Sequence, residues 1–165
     1  MEITLSIDKR EVMREVAITT AYTGVKMDAD ANAAERIATV DEDESHLERF
    51  WEESRADICQ ELIGLVSYEG MVKAVVVKPR EEGSKTPGEH YELRLEVSKS
   101  FDEALLPSMR LSLFSYFVQS IAARWYVYTN KGEAGEYADK AATMLDDIHR
   151  KAVYKKKPTR PTYDD

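Results

Sequence analysis

Pro107-Ser-Met-Arg-Leu-Ser-Leu-Phe-Ser-Tyr-Phe-Val-Gln-Ser-Ile-Ala-Ala-Arg-Trp-Tyr-Val-Tyr128 is apolar on more than half of a helical circumference. The apolar run from Ala104 to Tyr128 is long enough to span a bilayer, but Arg110, Gln119, Arg124 and several serines make that burial in lipid costly. It is therefore expected to be a central, buried helix over 108–128. Pro107 sits where a first helical turn tolerates proline, behind Asp102 and Glu103.

Asn130-Lys-Gly132 ends this helix. Ala134, Tyr137, Ala138, Ala141, Met144, Leu145, Ile148 and Ala152 then recur at helical spacing and predict a last amphipathic helix, about 133–154, antiparallel to the central one. Beyond it, Lys155 to Asp165 holds Pro158 and Pro161 and almost no apolar side chain, the composition of an extended tail.

Toward the N-terminus, Asp41 and Glu44 have the spacing of a capping box. Leu47, Phe50, Trp51, Ile58, Leu62 and Leu65 follow on one face of a long helix, 42–65, with Glu48, Glu52, Glu53, Arg55 and Glu61 on the others. Val72, Ala74 and Val76 face Tyr91, Leu93, Leu95 and Val97 as two strands of a hairpin within 71–98. The polar residues 79–90 between them predict a projecting, mobile loop. Ile3, Leu5 and Ile7 alternate with polar residues in a first strand over 2–7. Asp8 and Glu11 then open a helix over about 9–22, carrying Val12, Val16, Ala17 and Thr20 on one face and capped by Gly24. Residues 30–40 are alanine-rich and predict a short, weakly packed helix or an ordered loop.

The expected class is α+β and mainly helical, a bundle of about three long helices plus shorter ones, with a β-hairpin and an N-terminal strand. With 165 residues, 43% hydrophobic and 33% charged, the chain has the length and composition of one folded domain, expected over 1–154, followed by a basic tail over 155–165.

Charge and motifs narrow the chemistry. Arg150, Lys151, Lys155, Lys156, Lys157 and Arg160 against Asp164 and Asp165 give residues 150–165 a net +4, which leaves −12 on residues 1–149 of a chain at −8. Such a body repels nucleic acid and confines any phosphate contact to the tail. The tail either solubilises the helix end or docks on an acidic neighbour.

A single cysteine, Cys59, excludes an internal disulfide framework and is expected to be a small core residue. No secretory leader pattern opens the sequence, which suggests a protein acting inside the cell or in a particle assembled there. There is no glycine-rich phosphate loop, Gly-x-Ser-x-Gly elbow or His-Glu-x-x-His pair, and His46, His90 and His149 have no ligand spacing. No catalytic, cofactor or metal residue is assigned. Glu48, Glu52, Glu53 and Asp57 on one helix, with Glu133, Glu136 and Asp139 on another, superficially resemble the all-helical, metal-dependent nucleotide pyrophosphohydrolases, but lack their Glu-x-x-Glu spacing at Glu48 and Glu52. A solvated face accounts for them. That hydrolase and a soluble regulatory binding module are the alternative functions.

In the C-terminal third, Phe114-Ser-Tyr-Phe117, Ala123-Arg-Trp-Tyr126, Asn130-Lys-Gly-Glu-Ala134, Tyr137, Ala141, Leu145, Ile148 and Lys155-Lys-Lys-Pro-Thr-Arg-Pro161 resemble prophage and tailed-phage virion proteins of the head-tail connector, or neck adaptor, type. The resemblance covers residues 108–161 well and the rest loosely. It implies a non-enzymatic structural protein that assembles as a ring between portal and tail, with its own subunits, the portal and tail-side virion proteins as partners and no membrane contact. It implies the host cytoplasm as the site of assembly and the virion neck as the final location. Trp125, Tyr126, Tyr137 and Ile148 would hold the helical hairpin together, and Lys155, Lys156, Lys157 and Arg160 would form the docking tail. The N-terminal strand and residues 71–98 depart from the simplest helical connectors.

Overall fold

The computed structural model describes residues 1–26, 32–73 and 89–158. In chain order the elements are β1 (Glu2–Asp8), α1 (Lys9–Lys26), α2 (Ala33–Ile37), α3 (Glu44–Glu61), β2 (Val66–Lys73), β3 (Glu89–Glu96), α4 (Leu106–Thr129) and α5 (Lys131–Ala152), with single 3-10 turns at Asp41–Asp43 and Glu103–Leu105. The class is the expected mainly helical α+β, with an antiparallel sheet in the order β1-β3-β2.

The sheet is covered on one face. In β1 the side chains of Ile3, Leu5 and Ile7 are buried while those between them are not, and Tyr91, Leu93 and Leu95 do the same in β3. In the β1–β3 register Ile3 stands opposite Leu95, Leu5 opposite Leu93 and Ile7 opposite Tyr91, so both strands turn one apolar face to the helices. Helix α4 lies against β1, α1 and α3, and α5 packs along its far side. The molecule is thus layered: sheet, then α1, α3 and α4, then α5.

That position explains the composition of α4. Twelve of its residues are buried, among them Met109, Leu113, Phe117, Ile121 and Tyr126, because neighbours surround it on several sides. Its centre holds an aromatic cluster. Trp51 stacks on Phe117 at 4.2 Å between ring centroids and 19° between planes, and Tyr91 meets both rings edge-on, at 5.8 Å and 5.0 Å. Edge-to-face and offset geometries add about 0.5–1.5 kcal/mol per pair beyond area burial.

Several expectations are corrected in detail. Helix α1 runs past Gly24, itself buried in the helix, to Lys26. Helix α2 is well packed: Ala33 and Ile37 are fully buried, and the Trp125 Nε1–H donates to the Ile37 carbonyl at 2.6 Å. Helix α3 is shorter than 42–65, since Leu62 closes it and Gly64 adopts φ +85°, a left-handed turn open to glycine. In the 3-10 turn before it Asp43, not Asp41, supplies the carboxylate, accepting the Val40 N–H at 2.9 Å, and no side chain caps α3 itself. The Asp8 cap stands, its Oδ1 accepting the Arg10 N–H at 2.8 Å.

The first hairpin strand begins earlier than expected, at Val66, and contains Val72; Ala74 and Val76 lie outside the described residues. Glu89 and His90, expected in the loop, belong to β3, and the rest of the expected 79–90 loop lies outside the described residues. A single residue, Asn130 at φ −153°, ψ 80°, reverses the chain between α4 and α5, two residues ahead of Gly132. Among the described residues no helix is long and apolar enough to cross a membrane.

Candidate functional site: a groove between α3, α4 and α5

Helices α3 and α5 both lie on α4 without closing against each other, and between them runs a groove of about 760 Å³. Its floor is α4: Tyr116, Ser120, Ala123, Arg124 and Val127, which recur at helical spacing. The α5 wall is made of Leu145 and of Ala134, Ala138, Ala141 and Ala142, whose methyl groups cannot reach the opposite wall. The α3 wall presents Asp57, Gln60 and Glu61, and Asp146 and His149 continue the α5 rim.

The floor is rigidly built. Ser54 on α3 and Ser120 on α4 are buried and share a hydrogen bond at 2.8 Å, and the Ser54 hydroxyl also reaches the Phe50 carbonyl at 2.8 Å. The Tyr116 hydroxyl donates to the Ser54 carbonyl at 2.9 Å, and burial raises its pKa well above the usual phenol value, so it stays protonated. Arg124 bridges the helices, with Nη2 2.5 Å from Asp57 and Nη1 3.2 Å from Glu53.

The α4–α5 side is fastened at both ends. Tyr126 and Tyr137 meet edge-on at 4.9 Å. Asp147 accepts from Ser112 at 2.7 Å, from Lys151 at 2.5 Å and from Arg150 at 3.2 Å. Desolvation opposes ionisation of Asp147, but Lys151, Ser112 and Arg150 together hold its carboxyl below the ordinary range. Of the four residues expected to clasp the helical hairpin, Tyr126, Tyr137 and Ile148 do so, whereas Trp125 turns to α2.

The acidic residues weighed as a metal site are dispersed among basic partners. Glu48 pairs with Lys9 at 2.7 Å, Glu52 with Arg55 at 2.9 Å, Glu53 and Asp57 with Arg124, and Glu136 with Lys140 at 2.6 Å. Among the described residues no group of three or more His, Cys, Asp or Glu side chains is placed to hold a metal ion. Arg55 also links α3 to β2 through Glu69.

Cys59 is exposed, not a core residue. Partial desolvation and the nearby Glu69 raise its thiol pKa, the opposite of an activated nucleophile. Of the proposed docking tail, Lys155, Lys156 and Lys157 are exposed, and Arg160 lies outside the described residues. The Lys156 N–H donates to the Ser100 carbonyl at 3.0 Å and its ammonium lies 4.0 Å from Asp102.

The groove itself was not anticipated. Its one signal in the sequence is the alanine series at 134, 138, 141 and 142, which reads equally well as ordinary packing on α4. No family model, curated protein or solved structure matches the chain.

Proposed function

We propose that this chain is a non-enzymatic structural subunit, a head-tail connector or neck adaptor that joins copies of itself in a ring between portal and tail through protein contacts. The observation that carries the reading is the juxtaposition, on one chain, of an open groove of mixed floor and carboxylate rim and an exposed lysine segment of opposite sign. A groove of this shape accommodates a chain segment, and its charge favours a basic one. The connector assignment draws on the resemblance of residues 108–161. The ring neighbours, the portal and the tail-side proteins are the partners, nucleic acid touches at most the tail, and assembly takes place in the host cytoplasm before the protein reaches the virion neck.

The experiment is purification of particles from a strain that encodes the chain, with and without its gene, followed by protein mass spectrometry and electron microscopy. The expected result is the chain as a stoichiometric neck component, and heads without tails when the gene is deleted. Complete, infectious particles from the deletion strain would refute the proposal.

A further inference from the structure

We infer that the α3–α4–α5 groove is the receptor for the C-terminal segment, Lys157 to Asp165, of a second copy of this chain. The inference rests on the assembly-subunit reading and deepens it, by naming which surface receives which segment.

Charge is the first argument. Asp57, Glu61 and Asp146 line the groove, and Arg124 is the one lysine or arginine among its lining residues, already engaged by Asp57 and Glu53. Glu61 and Asp146 stand on opposite walls and are both exposed. The segment offers Lys157 and Arg160. Ion pairs made at such a partly desolvated rim select a basic partner and set its register.

Length and shape are the second. The α5 wall from Ala134 to His149 runs about 22 Å at a rise of 1.5 Å per residue. Residues 157–165 in polyproline form span about 28 Å at ~3.1 Å per residue, enough to lie along all of it. Positions three apart share an edge of such a helix, so in that form Pro158 and Pro161 would lie on one edge and Lys157 and Arg160 on another. The proline edge suits the small-residue wall of Ala134, Ala138 and Ala142, and the basic edge suits the rim. Proline also lowers the entropy lost when the segment is ordered.

Anchorage of the tail's root bears on which copy supplies the segment. Lys156 is held at Ser100 and Asp102, in the turn before α4, and neither of these residues lines the groove. That anchor holds Lys156 on residues outside the lining of its own groove, which favours the groove of another copy as the receptor.

The test mixes full-length ¹⁴N and ¹⁵N chains at about 1 mM and applies a zero-length carbodiimide crosslinker. Mixed-isotope crosslinks from Lys157 to Glu61 or Asp146 are expected, falling about tenfold on raising salt toward 1 M as the charges are screened. The Glu61→Lys, Asp146→Lys chain is then mixed with a Lys157→Glu, Arg160→Glu chain. Each reversed chain alone should give no crosslink at these positions, and the mixture should restore it with donor and acceptor exchanged.

Crosslinks confined to one isotope, no crosslink at these positions, or reversed chains that fail to rescue each other would overturn the inference. These outcomes are separable from the assembly reading. Particles that incorporate the Glu61→Lys, Asp146→Lys chain normally would remove the groove as receptor while leaving the chain a virion subunit.

Discussion

The two sides of α4 are built on opposite principles. Toward the sheet, Phe117 is packed between Trp51 and Tyr91, with all three side chains fully buried. Away from it, Ala123 and Ser120 face alanines on α5 across a groove of about 760 Å³. One helix thus has a side where large rings pack against one another and a side where a groove stays open. Volume filling fixes a unique fold; on the other side the α4–α5 contacts leave an open surface between them and α3.

The largest effect belongs to the closed side. Trp51→Ala should destabilise the protein by about 3–5 kcal/mol, because the ring stacked on Phe117 is lost and a cavity remains. Denaturant titration measures it. A loss below 1 kcal/mol would show that the aromatic cluster does not organise the core.

An intermediate effect is expected at Asp147, where α5 is fastened to α4. Asp147→Asn should cost about 1–2 kcal/mol at pH 7 by weakening the charge-assisted bonds from Lys151, Ser112 and Arg150. The sign of the pH dependence follows from the lowered pKa. The native carboxyl ionises more readily than the unfolded one, so its stabilisation is complete above the unfolded value near 4 and disappears as pH falls through the native one. The gap between the two proteins should therefore close below about pH 4, in paired thermal melts. A gap that persists into strong acid would contradict the assignment.

The smallest effect belongs to the tail. Truncation after Lys156 keeps the contacts to Ser100 and Asp102 and removes only residues beyond them, so the melting temperature should stay within about 1 °C. A large drop would place the last nine residues in the core.

The closed side was legible in the sequence and the open side was not, for a physical reason. Tyr91, Leu93 and Leu95 announce their strand because a period of two alternates burial along a single element, and Phe50, Trp51 and Ile58 announce theirs by a period near 3.6. Cys59 follows Ile58 by one residue, about 100° around the helix, which carries it off that stripe and into solvent. The start of β2 at Val66 left no clear mark because, among the described residues, it is an edge strand with an irregular register between Val66 and Tyr68, which breaks the alternation. The segment of Ala33 and Ile37 looked weakly packed because a single large aliphatic among alanines carries little pattern; the carbonyl that Trp125 binds is a tertiary fact. A groove is emptiness between three elements, and no single element's periodicity records it.

The most direct test of the central claim fills that emptiness. Ala138→Trp places a ring on an exposed α5 position in the groove wall, where no core packing opposes it. The account predicts a melting temperature within a few degrees of the parent, measured by circular dichroism, together with loss of the chain from particles purified from cells whose sole copy is the variant. Normal incorporation of a folded Ala138→Trp protein would show that the open side of α4 is not where this subunit is joined to its neighbours.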